Sequence, residues 1–274
     1  MLGGVSDSMD PICDDLEAEH AELDRLVAAL DETGWDLPTP AEGWRIRDQI
    51  GHLAYFDEAG FTAATDPEQF RVEAAVLTAG GDGNSSGPDP TSTRARASTG
   101  AQLLTWWRQA RSDMVRVFRT LDPRARLPWY GPDMGARSFA TARLMETWAH
   151  GQDVADALTF ERPATDRLRH VAHIGIGARP FAYSINRKEM PGAGLRIELQ
   201  GPSGETWTWG DPDATDRITG PALDFCLLVT QRRHLDDLDL QVEGEAARDW
   251  SGIAQSFAGP PGPGRTAGQF PKRS

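Results

Sequence analysis

The stretch TARLMETWAHGQD at residues 141–153 decides how the rest of the chain is interpreted. Apolar residues recur at helical spacing in and after it, namely Leu144, Trp148, Ala155 and Leu158. This period predicts a helix from about residue 138 to residue 158. Glu146 and His150 lie four residues apart in that helix, so their side chains share one face and can reach a single metal ion.

The same Glu/His pair also fits an ordinary solvated helix face that carries one hydrogen bond between side chains. His52, far upstream, is a third candidate ligand and favours the metal interpretation. Asp153 follows His150 on the same face. Its carboxylate could accept a hydrogen bond from the imidazole nitrogen that does not bind metal, which would orient the ring.

The composition excludes several classes of function. A net charge of −13 argues against nucleic acid as the main partner, because phosphate binding requires concentrated positive charge. No apolar run approaches the roughly 20 residues of a membrane helix, and the N-terminus lacks signal-peptide features, so a cytoplasmic location is expected. The two cysteines, Cys13 and Cys226, are expected to be reduced, buried thiols, and a catalytic role for either is the alternative.

The first part of the chain predicts a helical bundle. Long amphipathic helices are expected over residues 10–31, 45–65, 99–121 and 138–158, with a weaker helix over 67–79. Aromatic loops over residues 35–44 and 127–135 connect them, and packing against one another is the natural way to bury these apolar stripes. The turn-rich segment 80–98 is expected to be a lid or a mobile connection. His20 continues an apolar stripe and is expected to be structural.

The second part changes character. Alternating residues predict strands over 195–199, 206–209 and 238–242, and the expected helices are 166–186, 220–232 and 245–257. The predicted organisation is a disordered leader at 1–9, a metal-binding bundle at 10–162, a small α+β domain at 163–258 and a disordered tail at 259–274.

Two motifs carry a resemblance to a known family. The stretch WDLPTPAEGWRIRDQIGHL at residues 35–53, joined to EXXXHGQDXXDA at 146–157, strongly resembles the mycothiol-dependent maleylpyruvate isomerase family, which belongs to the DinB-like four-helix bundles. The resemblance covers roughly the first 160 residues. Residues 195–250 also resemble the small C-terminal α+β domain of that family, notably TQRR at 230–233.

The resemblance implies a site and a chemistry. Family members hold a divalent metal, usually zinc, with a His, a Glu and a His that correspond to His52, Glu146 and His150. They use mycothiol, a small thiol of actinobacteria, as isomerases or thiol transferases. The leading hypothesis is therefore an enzyme in which zinc, or else nickel or iron, activates a thiol that adds to a small electrophile. Arg45 replaces the Ser or Thr that relatives have as the cap of the His52 helix.

Two other functions fit the same residues. The metal could activate water in a hydrolase or lyase, or the bundle could be a non-catalytic protein that binds a metal or a small molecule. Arg232 and Arg233 could bind a substrate carboxylate, but two arginines at the end of a helix also complement its dipole. His170, His173 and His234 are expected to be structural or surface residues. A monomer or a homodimer is expected.

Overall fold

The computed structural model describes residues 8–79 and 90–270. The chain forms two compact units that divide between Glu161 and Arg162, one residue before the boundary expected from the sequence. The predicted leader lies almost wholly outside the described residues, but Met9 is buried and the backbone carbonyl of Ser8 accepts a hydrogen bond from Arg137.

The first unit is a bundle of long helices with short connecting elements. Its elements are α1 (Asp10–Val27), α2 (Glu32–Trp35), α3 (Ile46–Thr65), α4 (Pro67–Ala79), α5 (Pro90–Ala97), α6 (Gly100–Phe118), β1 (Arg126–Leu127), β2 (Met134–Gly135) and α7 (Ala136–Ala157). The long helices α1, α3, α6 and α7 pack against one another, and α4 and α5 pack against α3. The predicted bundle is therefore present, with its helix ends within a few residues of the expected positions.

Helix α7 occupies the interior of this bundle. Sixteen of its 22 residues are buried, so it has no broad solvent-facing side. A helix that is buried on nearly every side is characteristic of the centre of a core. The interpretation of Glu146 and His150 as part of a solvated helix face does not fit this position.

Close packing brings α3 against its neighbours. A Cβ atom added at Gly60 of α3 would lie 2.9 Å from the Sδ atom of Met114 in α6 and 3.3 Å from the ring of Phe139 in α7. Both distances are shorter than van der Waals contact, so the glycine permits the approach of three helices. The face of α3 that carries His52 is thereby held close to α7.

The N-terminus of α3 has a cap of a kind that the sequence analysis did not foresee. Arg45 supplies no side-chain cap, but the Asp48 carboxylate accepts the backbone N–H of Arg45 at 2.9 Å. Asp48 is also bound by the guanidinium of Arg96 at 2.7 Å. The Asp48 carboxylate, in the first turn of the helix, supplies the reciprocal half of a capping box.

Part of the predicted loop at 80–98 is helical. Residues 90–97 form α5, and residues 80–89 lie outside the described residues. The sequence of α5, PTSTRARA, lacks an apolar stripe, which is why the pattern indicated a loop. Contacts with other helices stabilise it instead: Arg94 pairs with Glu58 and lies 3.7 Å from the ring centroid of Trp106.

The second unit is a small α+β unit, as predicted. Its elements are α8 (Leu168–Gly177), α9 (Arg179–Ile185), β3 (Leu195–Gln200), β4 (Thr206–Trp209), β5 (Asp216–Pro221), α10 (Ala222–Val229), β6 (Gln241–Glu243) and α11 (Glu245–Ser251). The sheet order is β4-β3-β5-β6, in which β3 and β5 are parallel and the other pairs are antiparallel. Ile197 in β3 pairs with Trp209 on one side and with Ile218 on the other.

The second unit differs from the sequence prediction in several places. Two helices, α8 and α9, take the place of the one helix expected over 166–186. The helical structure is interrupted at Ala178, two residues before Pro180. Strand β5 was not predicted. Residues 259–270 of the predicted disordered tail have no regular structure but are fixed to the unit: the backbone N–H groups of Gly268 and Phe270 bind the Asp237 carboxylate.

Among the described residues, no helix is both long enough and apolar enough to span a bilayer.

Candidate metal centre

Three potential ligands converge between α3 and α7. One donor atom from each of His52, Glu146 and His150 lies within 4.8 Å of the others, and among the described residues this is the group of three that has metal-binding geometry. The Glu146 Oε2 atom lies 3.2 Å from His150 Nε2 and 3.8 Å from His52 Nε2. The structure therefore brings together the three residues that the sequence singled out.

The site is accessible but sheltered. The side chains of His52 and Glu146 are each 20% exposed, and that of His150 is 9% exposed. Burial alone would raise the pKa of Glu146, but interactions with His150 and His52 outweigh it and hold the pKa well below its usual range. Glu146 is therefore a carboxylate at neutral pH, the form that binds a cation.

Gln49 is a site residue that the sequence analysis missed. Its Oε1 atom is hydrogen-bonded to Nδ1 of His150, and its side chain is fully buried. Gln49 lies three residues before His52 in α3, so both side chains project from one face of that helix. This spacing was the available signal, since a polar residue one turn from a ligand is well placed to support the site.

Aromatic rings surround the imidazoles. The Trp44 ring stacks on His150 with centroids 5.8 Å apart and lies 5.5 Å from that of His52. Phe56, one turn after His52, contacts it at 4.6 Å, and Tyr130 packs edge-on against Phe56 at 5.5 Å. The two predicted aromatic loops thus lie beside the triad, where they restrict its access to water.

A second buried polar group lies deeper in the bundle. His20 of α1, Asp57 of α3, Trp107 of α6 and Arg143 of α7 meet there, one from each long helix. Arg143 binds Asp57 at 3.0 Å, and His20 Nε2 lies 3.9 Å from the same carboxylate. The prediction that His20 is structural agrees with this position, which is distinct from that of the triad.

The remaining candidates occupy other positions. Asp153 is buried on α7, but the acceptor described at Nδ1 of His150 is Gln49, so a role for Asp153 in orienting the ring stays a prediction. Arg232 and Arg233 follow α10 in the second unit. The Arg232 guanidinium donates to the Thr230 carbonyl, and that of Arg233 lies 3.7 Å from the centroid of the Phe270 ring. Their proposed role in binding substrate also stays a prediction.

The donor set fits a divalent cation. When the proton of the neutral imidazole is on Nδ1, His150 Nε2 and Glu146 Oε2 are both acceptors, and a cation between them relieves the repulsion of their lone pairs. Two imidazoles and one carboxylate are typical of catalytic sites for zinc, iron or nickel, where further positions stay open to solvent or substrate. The arrangement can thus hold a metal and leave room for an exchangeable ligand.

Family models match both units. Residues 16–155, slightly more than half of the chain, match the model of the mycothiol maleylpyruvate isomerase N-terminal domain. Residues 191–242 match a model described as wyosine base formation. The first match spans α3 and α7 and therefore all three residues of the triad.

The chain is also similar to whole proteins and to solved structures. Uncharacterised proteins from two strains of Mycobacterium tuberculosis are each 49% identical over 255 residues, which cover 93% of this chain and 98% of the relative. Crystal structures of mycothiol-dependent maleylpyruvate isomerase and of a mutant of it share the fold, each with a TM-score of 0.55 and 14% identity over 85% of this chain and 92% of theirs. The chain therefore belongs to the mycothiol maleylpyruvate isomerase family and has its DinB-like fold.

Proposed function

We propose that the protein is a divalent-metal-dependent enzyme that adds the sulfur of a small thiol, mycothiol, to a small electrophilic metabolite. The observation that carries this proposal is the convergence of the His52, Glu146 and His150 donor atoms within 4.8 Å of one another. Family membership supports mycothiol as the thiol. Zinc is the preferred metal, and nickel and iron are the alternatives, because ligand type alone does not decide which metal occupies a site.

The site residues have two roles, metal binding and the exclusion of water. His52, Glu146 and His150 would hold the metal, which when bound lowers the pKa of a thiol ligand so that it is a thiolate at cellular pH. Trp44 and Phe56 lie against the imidazoles and limit the entry of water. Their ring faces suit a flat, conjugated electrophile, which can stack on them.

The protein's own cysteines do not supply the nucleophile. Burial raises the pKa of Cys13 to about 11 and that of Cys226 well above its ordinary value. Both thiols stay protonated at neutral pH, and a protonated thiol is a poor nucleophile. A thiol that arrives as a cosubstrate therefore fits this chain better than an internal one.

Two outcomes follow from one addition step. The thiolate forms a carbon–sulfur bond at one end of an activated double bond, and the electron pair moves to the adjacent carbonyl. In an isomerase, the former carbon–carbon double bond is now single, and rotation about it is followed by cleavage of the carbon–sulfur bond, which restores the double bond and releases the thiol. In an S-transferase, a proton is added to the carbanion and the carbon–sulfur bond remains.

A turnover assay with and without thiol tests the proposal. The zinc-loaded protein is incubated with conjugated electrophiles, including maleylpyruvate, and the products are identified by mass spectrometry. Thiol-dependent turnover is expected, with isomer or adduct as product, and His150→Ala should abolish it. His234→Ala, at a partly exposed residue of the second unit, should behave as the unchanged protein. Metal-dependent turnover without thiol would replace the proposal with water-based hydrolysis or lyase chemistry.

A further inference from the structure

A chain of hydrogen bonds runs from His150 to the loop that carries Trp44. The Nδ1 atom of His150 is bonded to Oε1 of Gln49, and Nε2 of Gln49 donates to Oγ1 of Thr39 at 2.9 Å. The Thr39 hydroxyl donates to the backbone carbonyl of Trp44 at 3.0 Å. These three hydrogen bonds connect α7, α3 and the loop before α3, and we call them the Thr39–Gln49 relay.

The direction of every bond in the relay is fixed by its last member. A backbone carbonyl only accepts, so the Thr39 hydroxyl must use its single proton there. Its lone pairs then accept an N–H of Gln49, which leaves the amide oxygen to face His150. Because that oxygen also only accepts, Nδ1 of His150 must carry a proton, and Nε2 of the neutral ring carries the lone pair.

This lone pair is on the side of the ring that faces Glu146. His150 Nε2 lies 3.2 Å from Glu146 Oε2, the distance at which two donors can share one metal ion. Because Gln49 is completely buried, water cannot replace a partner that the relay loses. The wrong tautomer would place a proton where the metal has to bind and would leave the buried amide oxygen without a donor.

We propose that Gln49 and Thr39 are positioning residues that fix the tautomer and orientation of His150 for metal binding and tie the Trp44 loop to the metal centre. The Trp44 carbonyl ends the relay, and the Trp44 ring stacks on the imidazole that the relay orients. Trp44 therefore contacts both ends of the relay: its carbonyl binds Thr39 and its ring lies against His150. This inference rests on the metal centre of the proposed function but makes a separate statement about the metal-free protein.

Four variants form two matched pairs. Gln49→Met removes the acceptor at similar volume, whereas Gln49→Glu keeps an acceptor oxygen. Thr39→Val removes the hydroxyl at nearly constant shape, whereas Thr39→Ser keeps it. Partners of a metal-binding histidine typically change metal affinity by about 10–100-fold when they are mutated. We expect that loss for Gln49→Met and a smaller loss for Thr39→Val and for Gln49→Glu, each of which removes the hydrogen bond between residues 39 and 49. Thr39→Ser should stay within about threefold of the unchanged protein.

Two measurements test whether the relay fixes the His150 tautomer and supports zinc binding. Zinc affinity is measured by competition with a chromophoric chelator, and the His150 tautomer is measured by nitrogen-15 NMR of the metal-free protein at about pH 8.5, roughly two units above the usual imidazole pKa. The expected tautomer has its proton on Nδ1 in the unchanged protein and in Thr39→Ser. Gln49→Met should show a mixture of tautomers.

Several results would overturn the inference. One is a proton on Nε2 in the unchanged metal-free protein, and another is unchanged zinc affinity in Gln49→Met. Equal loss of affinity in Thr39→Ser and Thr39→Val would show that loop packing matters and the hydroxyl does not. If the unchanged protein does not bind zinc, the proposed function is wrong. The NMR measurement of the His150 tautomer still tests the relay in that case.

Discussion

The Oε2 atom of Glu146 lies 3.2 Å from Nε2 of His150, one helical turn away on α7, and His52 reaches the same carboxylate from α3. Two elements of the bundle therefore have to be held in register for the three donors to meet.

The buried Asp57–Arg143 ion pair is expected to be a main source of that register. Asp57 follows His52 by five residues in α3, and Arg143 precedes Glu146 by three in α7, so the pair joins the two ligand-bearing helices. Removal of one partner leaves a buried charge uncompensated. We expect Asp57→Ala to lower the free energy of unfolding by about 3–5 kcal/mol in urea titrations.

A double-mutant cycle provides the control for this prediction. The double variant Asp57→Leu with Arg143→Met leaves no unpaired charge, so it should be less destabilised than either single change. Glu68→Ala removes the partner of Arg71 in an exposed pair and should cost no more than about 0.5 kcal/mol. Additive effects of the two buried changes would show that the pair does not act as a unit.

His20 is expected to make the stability of the protein fall at acid pH. Burial, followed by the charges of Arg111 and Arg143, lowers the pKa of His20 well below its ordinary value of 6.5, although the Asp57 carboxylate faces it. Below pH 6.5 the unfolded chain therefore binds a proton at His20 that the folded chain does not. The free energy of unfolding should fall as the pH drops below 6.5, by up to about 1.4 kcal/mol per pH unit from this residue.

Comparison with His20→Gln isolates that contribution. Both proteins are unfolded with urea in the presence of a chelator over a series of pH values, so His52 and His150 contribute equally to each. The difference between the two curves should be flat above pH 6.5 and should slope below it. A difference that stays flat down to pH 5 would mean that folded His20 takes up its proton as readily as the unfolded chain does.

Trp44 is expected to report metal binding. Its ring lies 5.8 Å from that of His150 and 5.5 Å from that of His52, centroid to centroid. A paramagnetic ion such as Co²⁺ in the site should therefore quench its fluorescence strongly. In Trp44→Phe most of the metal-dependent quenching should disappear while about one equivalent of metal still binds. Trp250→Phe, which alters a buried residue of the second unit, should retain the quenching.

Much of the first unit could be predicted because its helices carry continuous apolar stripes, such as the one through Leu16 and Leu23. The ligands could be singled out because Glu146 and His150 have helical spacing and the motif around His52 resembles that of a known family. Helix α5 escaped prediction because its stability comes from Arg94 and other contacts with distant residues, which local periodicity does not encode.

The supporting residues of the site were harder to predict. Gln49 lies 101 residues before the imidazole that it orients, and only the fold brings the two together. A glutamine three residues before a histidine is also common on helices that bind no metal. Asp153 was the more obvious candidate from the sequence because it lies on the same helix as His150. The identity of the partner is thus a property of tertiary structure.

Metal content tests the central claim most directly. Purified protein is reconstituted with zinc, dialysed and analysed for bound metal, together with His52→Ala, Glu146→Ala and His150→Ala, and with His234→Ala as the control. We predict about one equivalent in the unchanged protein and in the control, and little or none in the three ligand variants. Absence of metal from the reconstituted protein, or one equivalent retained in all three variants, would contradict the assignment of this site.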